Sequence, residues 1–195
     1  MPKAVEEKIL KSETIFEGKE IRVRRDTIQT ASGAPVEKAI VERPDEVLII
    51  PQISPNEILL VKQFRRGVRE ILLELPGGKV GKGESALEAA HRELEEETGY
   101  RAEKMEKLKE VLINPSWLTS KHTFFLAQEL ALVPQPKVPD PDENIEIVKL
   151  SFEEALAKVD SGEIKDAKTI LGLFLAKKFF TEKPLGSPIL SSHKI

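Results

Sequence analysis

The sequence lacks cysteine and long apolar runs, and it carries little net charge. Without cysteine the chain forms no disulfide and has no thiol for catalysis or metal binding. The longest apolar stretch, residues 170–176, is far shorter than the roughly 20 residues that cross a bilayer. The net charge is −3 with Lys and Arg scattered along the chain, which provides no basic surface for nucleic acid. These features argue against membrane and nucleic-acid partners.

The size and the first residues of the chain favour a globular protein of the cell interior. At 195 residues, 40% of them apolar, the chain can build one domain with a substantial hydrophobic core. The first residues, MPKAVEEKILKSE, are too strongly charged for a signal peptide. We therefore expect a soluble cytoplasmic protein.

Alternating apolar residues and turn signals predict a mostly β chain. Residues 20–30 and 36–42 flank Ser32-Gly33 and predict a hairpin, whereas residues 1–12 are expected to be a short helix or a loose arm. Further strands are predicted at 47–53, 58–64, 107–113, 122–130 and 145–150. The expected fold class is α+β, with a few helices packed on a mixed sheet.

Three helices are predicted from signals at their ends. Ser85 followed by Glu88 is an S-x-x-E capping box, and Gly99 stands where the helix should end. The other two helices are expected to begin at a second capping box, residues 151–154, and at Asp166.

The first predicted helix crowds negative charge on one face. Glu93 lies three residues before Glu96 and four before Glu97, so the three carboxylates repel one another. Such crowding indicates a cation site, because hard ions such as Mg²⁺ prefer carboxylate oxygens and complete their shell with substrate phosphates. Arg92 can pair with Glu96, or orient it or Glu84 around the metal.

The rest of this helix is expected to divide into a buried and a solvated face. Leu87, Ala90 and Leu94 form an apolar arc at helical spacing. Glu88 and Glu95 are expected to point to solvent. The alternative for the whole segment is an ordinary solvated helix with paired charges.

Residues 78–100 resemble the Nudix box, G-x5-E-x7-R-E-U-x-E-E-x-G-U with U an apolar residue. The matching residues are Gly78, Glu84, Arg92, Glu93, Leu94, Glu96, Glu97 and Gly99, with Tyr100 as an aromatic variation at the last position. The resemblance implies a Nudix-type α/β/α sandwich with a mixed β-sheet, plus a small N-terminal β subdomain. It also implies metal-dependent hydrolysis of a nucleoside diphosphate linked to another group.

Carried over by position, the resemblance also implies which residues are catalytic. Glu93, Glu97 and, more weakly, Glu96 would bind metal, joined by the backbone carbonyl of Gly77. Mg²⁺ is the expected cofactor, with Mn²⁺ as a substitute. Such ions neutralise the diphosphate, polarise its phosphoryl oxygens and can activate a water. The expected catalytic residues are Glu93, Glu97, Glu143, Arg92 and Glu84.

Outside the box, residues 18–178 resemble the ADP-ribose pyrophosphatases. The similar segments are VKQFR at 61–65, ELPGG at 74–78, Pro115, DENIE at 142–146 and SGEIKDAKT at 161–169. This implies hydrolysis of ADP-ribose to AMP and ribose 5-phosphate, or of a related nucleoside diphosphate sugar. Residues 115–121, PSWLTSK, lack the glycine that often follows the proline in this subfamily and have a lysine near the usual glutamate position. Another nucleoside diphosphate derivative or a dinucleotide therefore stays open as substrate.

The same resemblance suggests how the substrate is handled. Glu143 in the acidic loop is the expected base that activates water, the alternative being that it and Glu146 are solvated charges. Arg65 could hold the diphosphate or terminal ribose by charge-assisted hydrogen bonds. Trp117 could stack on base or ribose, or simply pack. The expected substrate-binding residues are Arg65, Glu74, Arg43, Pro115 and Trp117.

Three regions are expected along the chain. Residues 1–44 would form an N-terminal β-hairpin or arm that mediates dimerisation, 45–180 the Nudix hydrolase domain and 181–195 a mobile tail. Related pyrophosphatases are usually homodimers with exchanged N-terminal strands, so a homodimer acting on a small molecule is expected. The alternative from a different functional class is a non-catalytic Nudix module that senses ADP-ribose, although the box is intact.

Overall fold

A computed structural model describes residues 6–135 and 144–181, in which the chain forms ten strands and three helices. The first strands are β1 Lys8–Glu17, β2 Arg22–Gln29, β3 Pro35–Glu42, β4 Glu46–Ser54, β5 Glu57–Arg65, β6 Glu70–Glu74 and β7 Gly77–Lys79. They are followed by α1 Ala86–Thr98, β8 Tyr100–Leu112, β9 Lys121–Leu132, β10 Ile145–Ser151, α2 Phe152–Asp160 and α3 Ala167–Thr181.

The first three strands form their own antiparallel sheet in the order β1-β2-β3. The predicted hairpin is confirmed as β2 and β3, and Gly33 adopts a φ of 84° in its turn, a value that glycine takes without steric cost. The prediction of a helix or loose arm for residues 1–12 is wrong from Lys8 onward. The alternating segment pairs along β2 as a strand, because its neighbour supplies the backbone hydrogen bonds that an isolated arm would lack.

The second sheet is mixed, as predicted, and has the strand order β10-β5-β4-β9-β8. β4 and β9 run parallel, whereas its other paired strands are antiparallel. β4 and β5 pair only near the turn that joins them, around Gln52 and Ile58. Further along, β7 pairs with β4 and β6 with β5. The two central strands therefore separate at one end of the sheet.

Helices cover both faces of this sheet. Successive residues of a strand point to opposite sides, so β4 contributes to two separate cores. Leu48 and Ile50 of β4 belong to the core shared with α2 and α3. Val47 and Ile49 belong to the core shared with α1. The predicted α/β/α sandwich is confirmed. None of the described helices is long and apolar enough to cross a membrane.

Helix α1 begins and ends as predicted. The Oγ of Ser85 accepts a hydrogen bond from the backbone N–H of Glu88 at 3.2 Å. Gly99 has a φ of 72° and its N–H donates to the carbonyl of Glu95 at 2.9 Å. β8 begins at Tyr100, directly after the helix and earlier than the strand predicted from residue 107.

Two side chains of α1 do not face where they were predicted to. Leu87 is 46% exposed, since Ala89 and Ala90 fill the contact with the sheet. Glu95 is only 5% exposed and accepts a hydrogen bond from Nε of Arg101 at 2.7 Å. The strand that returns beside the helix brings this arginine to Glu95, so the carboxylate is paired rather than solvated.

Candidate active site

A cleft of about 790 Å³ lies where β4 and β5 separate. Its walls come from β4, β5, β7, α1 and the start of α3. The predicted site residues that line it are Arg43, Arg65, Gly77, Arg92, Glu93, Glu96 and Glu97. The structure thus brings all four predicted metal ligands and two predicted substrate-binding arginines to one place.

Two glycines bring β7 into close contact with α1. The N–H of Gly77 donates to Oε2 of Glu97 at 2.8 Å. A Cβ at Gly77 would lie 2.1 Å from the carbonyl oxygen of Val47, and a Cβ at Gly78 would lie 2.2 Å from Oε1 of Glu93. A side chain at Gly77 would clash with the backbone of β4, and one at Gly78 would displace the Glu93 carboxylate, so the box carboxylates lie directly against the backbone of β7.

Arg92 links the acidic residues of this wall. Its Nε donates to Glu84 at 2.9 Å, and its Nη1 donates to Glu93 at 2.8 Å and Glu96 at 3.0 Å. Its Nη2 donates to the carbonyl of Lys79 at 2.9 Å. The hydrogen bonds with Glu84 hold the pKa of Arg92 above its usual range, against the opposing effect of burial. The arginine is therefore a permanent cation among carboxylates.

The donor set of this wall fits a divalent cation. Glu93 and Glu97 are 9% and 6% exposed, and hard anionic oxygens are the ligands that Mg²⁺ prefers. In the part of the chain that the structure describes, no three His, Cys, Asp or Glu side chains converge on one point. Glu93 and Glu96 instead share Arg92, and Glu97 is held by Gly77. A bound cation would take over oxygens that these hydrogen bonds now occupy.

The second wall of the cleft carries Arg65. Its Nε lies 3.0 and 2.9 Å from the two carboxylate oxygens of Glu74, which is 2% exposed. Burial lowers the pKa of Arg65, but these hydrogen bonds outweigh it and the net pKa is raised. Glu74, which the resemblance assigned to substrate, lies behind Arg65 and orients its guanidinium toward the cleft.

Several cleft residues carried no assignment from the sequence, among them Gln63, Lys168 and Glu46. Gln63 is 9% exposed, and its buried Oε1 has no hydrogen-bond partner among the described residues. Gln63 and Lys168 belong to segments that resemble the pyrophosphatases. The sequence therefore marked these segments but assigned no function to the two residues. Glu46 is the first residue of β4 and lies in no segment that resembles the pyrophosphatases.

Four of the predicted site residues that the structure describes do not line the cleft, namely Glu74, Glu84, Pro115 and Trp117. Pro115 and Trp117 lie in the turn after β8, where the carbonyl of Trp117 accepts from the N–H of Val41 at 2.7 Å. Trp117 is 44% exposed. Glu143 lies outside the described residues, as does the predicted mobile tail beyond Thr181. Asn144, the residue after Glu143, does line the cleft.

The profile of the NUDIX domain family matches residues 42–171, about two thirds of the chain. The chain therefore belongs to the NUDIX domain family, as its box predicted. In a solved structure titled "Crystal structure of ADP compounds hydrolase", the fold is similar with a TM-score of 0.81 at 25% sequence identity. That match covers 92% of this chain and 96% of the other.

Three curated relatives are similar over much of the chain. An ADP-ribose pyrophosphatase of Bacillus subtilis (strain 168) is 36% identical over 167 residues, covering 86% of this chain and 90% of the relative. A methanol dehydrogenase activator of Bacillus methanolicus is 33% identical over 173 residues, covering 89% and 94%. A GDP-mannose pyrophosphatase of Yersinia pestis (strain Pestoides F) is 37% identical over 133 residues, covering 63% and 65%. Family and relatives together indicate a pyrophosphohydrolase.

We predict that Gly78→Ala lowers kcat/KM for diphosphate hydrolysis by about 100-fold, since displacing a catalytic group by about 1 Å costs that much. The added methyl group would overlap the Glu93 carboxylate. Gly67→Ala is the matched control, because a Cβ there meets nothing within 4 Å. Steady-state kinetics and thermal unfolding of both variants provide the measurement. Unchanged kinetics for Gly78→Ala would show that Glu93 need not hold this position.

Proposed function

We propose that this protein hydrolyses the diphosphate bond of ADP-ribose, or of a closely related nucleoside diphosphate sugar, with Mg²⁺ as cofactor. From ADP-ribose it would release AMP and ribose 5-phosphate. The observation that carries the proposal is one cleft in which Glu93, Glu96 and Glu97 share the lining with Arg65 and Arg43. Carboxylates for a cation and arginines for an anion are what a metal-dependent diphosphate hydrolase needs.

Glu93, Glu97 and Glu96 would hold the metal, together with the carbonyl of Gly77. When bound, the metal neutralises the diphosphate and polarises its phosphoryl oxygens. Arg92 keeps Glu93 and Glu96 in place from the side of α1, with Glu84 accepting its Nε–H, whereas Glu97 is held by the N–H of Gly77. Arg65, oriented by Glu74, would donate hydrogen bonds to a phosphoryl oxygen. Neither arginine needs to change its charge during the reaction.

Glu143 would take the proton from the attacking water. The water oxygen bonds to one phosphorus, the bond between that phosphorus and the bridging oxygen breaks, and the bridging oxygen leaves with the other phosphate. β10 begins at Ile145, which pairs with Gln63 of β5. The preceding residue, Asn144, lines the cleft. Glu143 directly precedes this cleft residue in the sequence, which supports it as the base.

A different nucleoside diphosphate sugar is the second candidate substrate. Its support is the turn with Pro115 and Trp117, which departs from the pyrophosphatase pattern and does not line the cleft of this chain. Terminal-ribose contacts from this turn are therefore missing within one chain. The relative named for GDP-mannose is similar over 133 residues, which is compatible with such a pocket.

We also propose that residues 1–44 form a dimerisation region and 45–180 the hydrolase domain. The β1-β2-β3 sheet is separate from the main sheet, and its first strand and following turn expose large apolar side chains. These are Ile9, Leu10, Ile15, Phe16 and Ile21, each at least 40% exposed. A second copy of the chain would cover them. Location in the cytoplasm stays a prediction from the sequence.

The dimer predicts a mass in solution of twice the 21.8 kDa of one chain. Light scattering on the purified protein gives this mass directly, and Phe16→Glu should shift it toward one chain because a charge would be buried at the contact. A wild-type mass equal to that of a single chain at micromolar concentration would refute the dimer.

The proposed substrate is tested with ADP-ribose, ADP-glucose, GDP-mannose, NADH and diadenosine polyphosphates, with Mg²⁺ or Mn²⁺ and chromatographic separation of products. We expect AMP and ribose 5-phosphate, mainly from ADP-ribose. Preference for another compound would support the proposed diphosphate hydrolysis but show that ADP-ribose is not the main substrate. Binding of ADP-ribose without any turnover would instead support a sensing module.

Two variants show whether any turnover depends on the box. Glu97→Gln should lower activity by more than about 100-fold and weaken Mg²⁺ activation, because it removes a ligand charge. Glu103→Gln, on the exposed side of β8, is the control and should behave as wild type. Full activity and unchanged Mg²⁺ affinity in Glu97→Gln would contradict the metal assignment.

We predict that Glu143→Gln lowers kcat by about 10²- to 10⁴-fold, the usual contribution of a general base. Glu146→Gln is the matched control from the same segment. Glu146 lies on β10 with its carboxylate 3.3 Å from Nζ of Lys62, as a surface ion pair. The comparison uses kcat and its pH profile. Equal effects of the two substitutions would exclude Glu143 as the base.

A further inference from the structure

Lys168, at the start of α3, lines the same cleft as the box carboxylates. Its side chain is 24% exposed, and its Nζ donates to Oδ1 of Asp166 at 2.7 Å. An ammonium group has three N–H donors. Within residues 6–135 and 144–181, Asp166 is the one acceptor found for them. Among the described residues, two of its donors therefore have no acceptor and can reach a ligand in the cleft.

Lys168 is held in place by a buried hydrogen-bond network. Oδ2 of Asp166 accepts from the backbone N–H of Thr169 at 2.9 Å and from its Oγ1 at 2.8 Å. Burial raises the pKa of Asp166. The charge of Lys168 and these hydrogen bonds lower it by more, so the net pKa lies below the usual value. The carboxylate is thus a fixed anion that orients the lysine.

The same network connects this lysine to the metal-binding wall. The backbone N–H of Leu75 donates to Oγ1 of the fully buried Thr169 at 2.9 Å. Two residues further along, the N–H of Gly77 donates to Glu97 at 2.8 Å. The start of α3 and the box carboxylates are therefore attached to one short backbone segment, which fixes the distance between Lys168 and the metal ligands.

Several other cations of the cleft are also paired with carboxylates. The pairs are Arg92 with Glu84, Glu93 and Glu96, Arg65 with Glu74, Arg43 with Glu46 and Lys79 with Glu20. An anionic substrate that enters this cleft needs cations whose donors are not all used. Lys168 meets this requirement without losing its bond to Asp166.

We infer that Lys168 binds the diphosphate of the substrate, on the wall of the cleft opposite the box helix. The inference rests on the proposed hydrolase function and adds a residue to it. Asp166 is the positioning residue that aims the ammonium group. A lysine suits this place because its compact charge can contact either phosphoryl group as the bond between them breaks.

The test replaces Lys168 by Gln and by Met, which both remove the charge, and by Arg, which keeps it. Lys165→Gln is the matched control, since Lys165 is exposed and pairs with Glu70 outside the cleft. We expect KM for ADP-ribose to rise about 10- to 100-fold in the two neutral variants, the loss of one charge-assisted hydrogen bond. Lys168→Arg should recover part of the affinity, and Lys165→Gln should match wild type.

A binding measurement separates this inference from the proposed substrate. Calorimetric titration with inorganic pyrophosphate and Mg²⁺ needs no turnover, and the neutral variants should bind it about 10- to 100-fold more weakly. If wild type binds pyrophosphate, the neutral variants bind it more weakly and no compound tested is hydrolysed, the proposed function fails while the role of Lys168 stands. Unchanged pyrophosphate affinity in both neutral variants, or no binding by wild type, would overturn the inference. Thermal unfolding confirms that each variant is folded.

Discussion

Mutual repulsion among carboxylates on one face of α1 is the constraint on which the site depends. Glu93, Glu96 and Glu97 lie within five residues, and two of them are almost fully buried. Burying like charges together costs free energy unless cations compensate them. Arg92 supplies one compensating charge within the chain, and a divalent cation would supply more. The glycines of β7 and the capping box serve the same end, because they fix the helix against the strand.

The fold places this charged helix beside a gap in its own sheet. β4 and β5 pair near their turn and then separate, with β7 and β6 along the edges that face the gap. One wall of the resulting cleft is acidic, from α1, and the other carries Arg65 and Lys168. A ligand with negative charge could thus lie between the proposed metal ligands on one wall and the cations on the other.

Local signals explain what the sequence could predict. Capping residues and the box spacing act within a few positions, so the ends of α1 and the cluster of carboxylates followed from the sequence alone. Leu87 and Glu95 were misplaced because their surroundings depend on where β8 returns beside the helix. The contact between Leu75 and Thr169 joins residues 94 positions apart, and no local pattern encodes it. The role of Lys168 could therefore be inferred only from the folded chain.

The parallel pairing of β4 with β9 has a consequence for how the protein forms. Residues 46–51 pair with residues 122–127, and the start of α3 is attached to the segment before β7 by the hydrogen bond between Leu75 and Thr169. Contacts so distant in sequence form slowly, because a long loop must close before they stabilise anything. During synthesis the chain would leave the ribosome with Arg65 and its acidic helix complete well before Lys168, on α3, is made. The ability to bind a diphosphate should then appear last, together with the packing of α3.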